Sequence, residues 1–373
     1  MSLKSDLKVF YTKYPNASIS EAAIKFGRTE ASIKGTRRAL IGEGQLERQN
    51  PNQRHDPALV QECEAVGISP ESVSNYWYKG KHFSIHVSNK PVSMMDISDL
   101  IIGEMKAHAP IYKEVKPFKP GKHLMVINPA DVHIGKLCSA YETGEDYNEN
   151  IARDRVMQGV NSLTEKSKLF GIGKIVLVIG NDILHTDNAK STTTAGTFQD
   201  SNLMWYDAFN FAFKLYIEVI ETLAKVAPVH IMHNPSNHDY VSGYMLAQSV
   251  QAWFKNHKSI TFDVSPSHRK YYVFGQNLIG STHGDGAKVQ DLPLLMAHES
   301  KDWNNCKHRY IYTNHIHHKS SKDIMSVNVE SFRSPSGTDS WHHRNGYQHS
   351  PKSIEAFIHH IDNGQVARLT EIF

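Results

Sequence analysis

The sequence predicts an α/β domain preceded by a small helical domain with a basic surface. Two observations carry this prediction. After residue 122, short apolar runs alternate with longer helical patterns, which is the order of strands and helices in an α/β sheet. Residues 1–60 instead contain ten Lys and Arg against six Asp and Glu, so this end holds about the whole positive excess of the chain.

The basic end contains two short helical patterns separated by a glycine. Residues 21–26 and 30–41 have the spacing of helices, with Gly27 between them and Thr29 placed to cap the second. The outer face of the second helix carries three basic residues, Lys34, Arg37 and Arg38. This arrangement is typical of a helix-turn-helix, so these side chains are predicted to contact nucleic acid. A small helical bundle with a solvated basic face is the alternative.

Three further segments complete the region before the α/β domain. Apolar and polar residues roughly alternate over residues 76–88, as in a hairpin or wing, and a helical pattern covers residues 96–108. The next residues are rich in proline and lysine, which is typical of an extended linker. The predicted organisation is a DNA-binding-like region over residues 1–108, a linker over 109–122 and the α/β domain over 123–373.

The elements of the α/β domain follow from its alternating runs. The predicted strands cover residues 123–128, 174–179, 229–233, 271–274, 278–280 and 310–312. The predicted helices cover residues 149–169, 202–226 and 244–258. Near the C-terminus, Asn363-Gly364 lies between two apolar runs and is a strong signal for a two-residue hairpin turn.

Composition limits the class of protein. No apolar run reaches the ~20 residues of a membrane-spanning helix, and the first residues lack the apolar core of a signal peptide, so we expect a cytoplasmic protein without a membrane partner. The three cysteines show no paired spacing, which argues against disulfides and against a thiolate zinc site. The 23 histidines are many for this length and suit a metal held by imidazole.

Polar residues at the ends of five predicted strands are the most informative feature. In chain order they are Asp131 and His133, Asp182 and His185, Asn237 with His238 and Asp239, His283, and His315 with His317. Because the carboxyl ends of parallel strands meet at one edge of a sheet, residues far apart in sequence can converge there. Turn preference would explain one such coincidence but not five.

The residue types at these strand ends suit one chemistry. Carboxylate, amide and imidazole groups without thiolates suit Mn²⁺, Zn²⁺ or Fe. Two ions about 3.5–4 Å apart need a bridging carboxylate with separate ligands on each side, and such pairs catalyse the hydrolysis of phosphate esters. The sequence therefore predicts a two-metal site for phosphate ester hydrolysis.

The order of these motifs resembles the calcineurin-like metallophosphoesterase superfamily. Its signature is D-x-H, G-D, G-N-H-D/E, H and G-H-x-H, and five matching blocks occur here in that order within residues 123–373. The resemblance implies a four-layer α-β-β-α sandwich and two divalent ions, with Mn²⁺ preferred over Zn²⁺, Fe or Ni²⁺. Three residues depart from the signature: Asn181 is inserted before Asp182, and Ser236 and Asn314 stand in place of glycines.

The resemblance also implies a role for each side chain. The seven metal ligands would be Asp131, His133 and His317 on one ion, Asn237, His283 and His315 on the other, and Asp182 between them. His238 would face the phosphate and stabilise the transition state or protonate the leaving oxygen. Asp239 would orient His238 or cap the next helix.

His185 bears on the substrate. Asp182-Ile183-Leu184-His185 resembles the G-D-x-x-H block of SbcD-type DNA repair exonucleases, whereas Ser/Thr protein phosphatases carry G-D-x-x-D-R-G. His185 is therefore a second catalytic candidate. The extra N-terminal domain resembles phage and prophage members of the superfamily, which would act in the host cytoplasm.

Phosphodiester hydrolysis, above all of DNA, is the leading hypothesis, with DNA or a nucleotide as substrate. Hydrolysis of a phosphomonoester or small nucleotide is one alternative, and a DNA-binding regulator with a structural metallo-domain is another. Self-association into a homo-oligomer is left open. The polar and aromatic residues 333–347 are expected either to line the substrate cleft or to form an ordinary surface loop.

Overall fold

The computed structural model divides into two compact units, Met1–Asp96 and Ile97–Phe373. The residues that the structure describes are 3–14, 19–42, 45–46, 63, 75–79, 84–88, 102–103, 106, 109–112, 118, 121–347 and 350–373. The helix predicted over residues 96–108 therefore lies mostly outside the described residues. The tip of the predicted wing, residues 80–83, also lies outside them.

The first unit contains three helices and a strand pair within its described residues. The elements are α1 (Leu3–Lys13), α2 (Ile19–Phe26), α3 (Glu30–Gly42), β1 (Asn75–Lys79) and β2 (Ser84–Ser88). Both helices of the predicted pair are present, Gly27 follows α2 with φ at +58°, and the Thr29 hydroxyl accepts a hydrogen bond from the amide of Ser32 at 3.3 Å. The sequence analysis missed α1, which supplies Leu7 to the small core formed with Ile33 and Leu40. Strands β1 and β2 pair antiparallel where the wing is predicted.

A six-stranded sheet forms the centre of the second unit, in the order β13-β12-β3-β4-β5-β6. Its strands are β3 (His123–Ile127), β4 (Ile172–Gly180), β5 (Val229–Asn234), β6 (Ile260–Asp263), β12 (Ser353–His360) and β13 (Gly364–Ile372). Strands β3 to β6 run parallel, while β12 and β13 are antiparallel. The carboxyl ends of β3, β4 and β5 therefore share one edge.

A five-stranded sheet lies against the first, in the order β10-β11-β9-β8-β7. Its strands are β7 (Lys270–Phe274), β8 (Asn277–Ser281), β9 (His308–Thr313), β10 (Ser320–Ile324) and β11 (Val327–Ser331). Strands β8, β9 and β11 are parallel, and β7 and β10 pair antiparallel at the edges. Strands β6, β10 and β11 were not predicted from the sequence.

Four helices of the second unit cover the outer faces of the sheets within the described residues: α5 (Glu149–Ser167), α6 (Trp205–Ala224) and α7 (Tyr240–Trp253) on the six-stranded sheet and α8 (Leu292–Glu299) on the five-stranded sheet. Two short helices, α4 (Ala140–Thr143) and α9 (Ser340–Arg344), contact each other, and short 3₁₀ turns occur at Lys168–Phe170, Val289–Asp291 and Trp303–Asn305. None of the helices within the described residues is long and apolar enough to cross a bilayer.

Alternating residues along each strand build the layers, since successive side chains point to opposite faces. In β3, Met125 and Ile127 pack with α5, α6 and α7, whereas Leu124 and Val126 join a core with Ile279 and Tyr312 of the second sheet. On the far side of that sheet, a third core includes Leu278, Ile311 and the α8 residue Met296. Helix, sheet, sheet and helix follow one another, so the predicted α-β-β-α sandwich is confirmed.

Two predicted boundaries differ from the structure. Helix α7 begins at Tyr240 rather than near residue 244, because the Asp187 carboxylate accepts hydrogen bonds from the amides of Val241 and Ser242 at 2.9 and 2.8 Å and thereby satisfies the first turn. The C-terminal hairpin is present, but Gly364 is the first residue of β13, so the turn is residues 361–363 rather than Asn363-Gly364.

The predicted domain boundary stays a prediction. Tyr112 lies within the predicted linker, and its ring stacks on Phe254 with the centroids 5.8 Å apart and contacts the ring of His257 at 4.6 Å.

Candidate metal centre

Loops that follow five strands meet at one edge of the two sheets. Backbone hydrogen bonds align the loops after β3 and β4, since the amides of Asp131 and His133 donate to the carbonyls of Asn181 and Asp182 at 2.8 and 3.0 Å. The loop after β5 holds Asn237 to Asp239, that after β8 holds His283, and that after β9 holds His315 and His317. The sheet topology thus brings the predicted site residues of the second unit together.

Six residues in the first turns after these strands have left-handed backbones although none is glycine. Their φ values are 51° at Asp131, 49° at His133, 59° at Asn181, 56° at Asp182, 70° at His315 and 57° at His317. This conformation costs about 1–2 kcal/mol for an ordinary residue, and strain of this kind concentrates at functional sites. Both residues of the D-x-H motif and both histidines of the H-x-H motif have this left-handed backbone conformation.

Three groups of potential ligand atoms occur among the described residues, and two of them contain the predicted ligands, while the third is His133, His185 and His238. Asp131, His133 and His317 make the first, with Asp131 Oδ1 3.5 Å from His317 Nε2 and the Nε2 atoms of His133 and His317 3.3 Å apart. Asp182, His283 and His315 make the second. Asn237 adjoins this second group, because its Oδ1 lies 3.1 Å from His283 Nε2.

Asp182 joins the two groups. Its Oδ2 lies 3.3 Å from His283 Nε2 in the second group and 4.0 Å from His133 Nε2 in the first. One carboxylate oxygen therefore faces both sets of ligand atoms. Its other oxygen, Oδ1, accepts a hydrogen bond from the backbone amide of His238 at 3.0 Å.

The residues fit divalent ions by two criteria. Asp131 Oδ1 is buried without a hydrogen-bond partner among the described residues, which is costly unless another group satisfies it. The candidate ligand atoms are nitrogen and oxygen throughout, and the Nε2 atoms of His133 and His317, 3.3 Å apart, are close enough to share one cation.

The electrostatics also favour a cation. Burial and the charges of His238 and Lys136 hold the pKa of His133 well below its ordinary value, so this ligand is neutral. Burial opposes protonation of His283, but the charge of Asp182 and the hydrogen bond to it raise its pKa to about 9. The carboxylate of Asp182 thus favours a positive charge beside it, whereas burial keeps His133 neutral and able to coordinate.

His238 and His185 lie beside the first group. The rings of His238 and His185 stack with centroids 5.4 Å apart, and His185 Nδ1 is 3.3 Å from His133 Nδ1. His238 Nδ1 lies 2.9 Å from the carbonyl oxygen of His185. Because a carbonyl only accepts, Nδ1 of His238 carries the proton and Nε2 is left for another partner.

Asp239 supports the loops in a way that the sequence analysis did not foresee. Its carboxylate accepts hydrogen bonds from the amide of Leu184 at 3.0 Å and from the hydroxyl of Ser236 at 2.5 Å, and it makes no cap hydrogen bond to α7. Ser236 also accepts from the amide of Asp182 at 2.8 Å. Asp239 and Ser236 therefore fix the backbone around Asp182, the residue predicted to bridge the ions. Ser236, which stands in place of the glycine of the signature, contributes a hydrogen bond that glycine could not make.

Two buried polar contacts near the site were missed by the sequence analysis. Asn128 donates from Nδ2 to Asn314 Oδ1 at 3.0 Å and links the loops after β3 and β9. Lys136, only 1% exposed, forms an ion pair of 2.9 Å with Asp339. The one available signal for Asn314 was its departure from the glycine of the signature. The partners in these two contacts lie about 190 and 200 positions apart in the sequence, so no local sequence pattern could predict the contacts.

The three predicted nucleic-acid contacts belong to the first unit. Lys34 and Arg38 are exposed on α3, while the Arg37 guanidinium lies 4.3 Å from the ring centre of Tyr11. Arg37 therefore stacks on the small helical core, and the contact of all three with nucleic acid stays a prediction.

Comparisons with known proteins add little. No family model and no curated protein matches the chain. Among solved structures, an archaeal phosphodiesterase is 9% identical, covers 67% of this chain and 99% of its own, and has a TM-score of 0.33. Wild-type Vps29 from Entamoeba histolytica, complexed with Zn²⁺, is 10% identical with 67% and 98% covered and a TM-score of 0.27. A predicted phosphoesterase from Streptococcus pneumoniae is 11% identical with 67% and 97% covered and a TM-score of 0.29.

Similarity this low decides neither fold nor function. What the chain shares with calcineurin-like metallophosphoesterases is visible in its own residues: the order of the motifs, the four layers and the converging ligand groups.

Proposed function

We propose that the chain is a metal-dependent phosphodiesterase that hydrolyses DNA at the carboxyl edge of its two sheets. The position of Asp182 carries the proposal, because Oδ2 of this residue faces one ligand group at 3.3 Å and the other at 4.0 Å. A carboxylate shared by two sets of imidazole and carboxylate ligands is the arrangement that a pair of divalent ions requires.

The ligands would divide between two ions, for which Mn²⁺ is our first choice. Asp131, His133 and His317 would hold one ion, Asn237, His283 and His315 the other, and Asp182 both. When bound, two such ions supply the positive charge that lowers the pKa of water and offsets the charge of a phosphoryl group. With only two carboxylates in the set, the loaded site keeps a positive charge that suits an anionic substrate.

His238 is the proton donor of the proposed mechanism. Its Nδ1–H is directed to the carbonyl of His185 at 2.9 Å, which fixes the ring and leaves Nε2 toward the site. In its protonated form, Nε2 can give a proton to the leaving oxygen as the ester bond breaks. His185 supports this geometry through its stacked ring and its carbonyl.

Two features favour DNA over a phosphoprotein. His185 stands at the histidine position of the G-D-x-x-H-like block and packs against His133 rather than extending toward solvent. The first unit presents Lys34 and Arg38 on an exposed helix that follows a glycine turn, as expected of a part that contacts the phosphate backbone.

The substrate class is tested with purified protein and added Mn²⁺. Initial rates are compared on DNA, on bis(p-nitrophenyl) phosphate as a diester, and on p-nitrophenyl phosphate as a monoester. We expect the protein to cleave DNA and to hydrolyse the diester faster than the monoester. The Asp182→Ala variant should lose both the DNA cleavage and the diester hydrolysis. Activity confined to the monoester would favour a phosphomonoesterase. Inactivity on all three substrates would contradict the proposal and favour a DNA-binding regulator.

A further inference from the structure

A short aromatic segment lies directly against the candidate ligand His317. The ring of His342, on α9, stacks on that of His317 with the centroids 5.2 Å apart and the planes 14° apart. Trp341 follows at 5.1 Å from His342, and Tyr347 lies 5.8 Å from Trp341 with its plane tilted by 32°. Four rings thus lead from the metal site to the surface, and the chemistry proposed above uses only the first.

The outer two rings are open to solvent. Trp341 is 62% exposed and Tyr347 is 65% exposed. Two adjoining exposed aromatic rings beside a polar site form an apolar face that a ligand can contact. We refer to the rings of Trp341 and Tyr347 together as the aromatic platform.

The aromatic platform is held in place by a buried ion pair. Asp339 accepts a hydrogen bond from the amide of His342 at 2.8 Å, which caps α9, and its other oxygen lies 2.9 Å from Lys136 Nζ. Ser340 adds a hydrogen bond to Glu142 at 2.6 Å. A five-residue helix would have little order on its own, so these contacts fix the ring positions before any ligand arrives.

We propose that the aromatic platform binds the nucleobase of a nucleotide whose phosphate lies between the two ligand groups. This inference rests on the proposed function, which places the phosphate, and it assigns the substrate class as nucleotides with an unpaired base. Every base has a face that can stack on an aromatic ring, and a ribose joins that base to its phosphate. Exposed Arg344, which forms no ion pair with the described residues, offers a charge for a neighbouring phosphate.

A second aromatic pair, next to the Asn237 to Asp239 block, provides a matched control. Tyr240 directly follows the Asn237 to Asp239 block, is partly exposed, and stacks on His268 with the centroids 5.8 Å apart and the planes 27° apart. It differs from the aromatic platform in adjoining the second ligand group, so the two pairs predict different places for the base.

The experiment compares binding of adenosine 5′-monophosphate and ribose 5-phosphate by calorimetry, with Mn²⁺ present. The full chain carries His238→Asn so that turnover is slow. We expect the nucleotide to bind about 5- to 150-fold more tightly than the sugar phosphate, the range expected for stacking one base on an aromatic ring. Trp341→Ala should lose most of this preference, whereas Trp341→Phe and Tyr240→Ala should keep it.

Equal affinity for the two ligands, or an undiminished preference in Trp341→Ala, would overturn the inference. Loss of the preference in Tyr240→Ala alone would place the base at the other pair and would also overturn it. Binding is measured without turnover, so the two proposals can fail separately. A protein that prefers the nucleotide but cleaves no ester contradicts only the proposed function, and one that cleaves the diester without any base preference contradicts only the aromatic platform.

Discussion

At the scale of single residues, His238 and Asn237 are neighbours with different proposed tasks. His238 directs Nδ1 to the His185 carbonyl and donates its backbone amide to Asp182, whereas the Asn237 side-chain oxygen lies against His283. A residue that delivers a proton and a residue that holds an ion should respond differently to substitution, although they adjoin in the chain.

His238→Asn should keep its metal content and lose turnover. Removing a general acid typically costs about 10²–10⁴-fold in rate, and the ligand groups do not include His238 Nε2 in the proposed roles. Metal analysis and the rate on bis(p-nitrophenyl) phosphate measure the two effects.

Asn237→Ala is the matched comparison and should weaken one ion while the other stays bound. Equal loss of metal in the two variants would contradict the division between ligand and acid.

His359 gives a pH-dependent contribution to stability. It is buried in β12 with Nε2 2.7 Å from the Tyr312 hydroxyl, and burial together with the charge of His308 lowers its pKa to about 3. An unfolded histidine has a pKa of about 6.5, so this contribution is complete above that pH. It is lost as the pH falls toward 3, at about 1.4 kcal/mol per pH unit.

Urea unfolding of the wild type and of His359→Gln between pH 7 and pH 4.5 measures this contribution. The unfolding free energy of the variant should fall less steeply as the pH is lowered. The difference in slope should correspond to at most one proton taken up on unfolding. Identical slopes in the two proteins would show that His359 is protonated in the folded state.

At the scale of elements, strands followed by common turn-forming residues could be predicted from the sequence, whereas strands joined by residues that rarely form turns could not. The runs before Asp131, Asp182 and Asn237 are long, apolar and followed by turn formers, and each forms a strand of the central sheet. The β10–β11 hairpin turns through Met325 and Ser326, with φ at 47° and 65°. That backbone normally requires Asn or Gly, so the residues gave no turn signal.

The start of α7 shows a second limit of local patterns. Its first amides are satisfied by Asp187, a residue more than 50 positions earlier, so no cap near Tyr240 marks the true boundary. The ligand residues could be predicted because they follow strands, whereas Lys136 and Asp339 could not because only the fold brings them together.

The buried contact between Asn128 and Asn314 should stabilise the junction of the two sheets. Asn128→Ala leaves Asn314 Oδ1 without its partner, and an unsatisfied buried group costs about 1–3 kcal/mol. We expect a loss of that size in the free energy of unfolding, measured with denaturant. Asn305→Ala, an exposed residue before β9, is the control and should change stability by less than about 0.5 kcal/mol. Equal effects of the two substitutions would contradict a linking role for Asn128.

At the scale of the whole molecule, metal should stabilise the second unit. Six left-handed residues and the unsatisfied Oδ1 of Asp131 make the ligand-free centre costly, and an ion that binds only the folded state lowers its free energy. At 100 times its Kd, one ion contributes about 2.7 kcal/mol. A chelator should therefore lower the unfolding temperature and Mn²⁺ should restore it.

Asp182→Ala should abolish most of this metal-dependent shift, because it removes the shared ligand. An unfolding temperature that is indifferent to chelator and Mn²⁺ in the wild type would contradict metal binding at this centre.

The most direct test of the two-metal centre is a crystal structure of the full chain grown with Mn²⁺ and examined by anomalous scattering. The account predicts two peaks about 3.5–4 Å apart. One should be bound by Asp131, His133 and His317, the other by Asn237, His283 and His315, with the Asp182 carboxylate between them. No peak among these residues, or a single peak with Asp182 bound to one ion only, would contradict it.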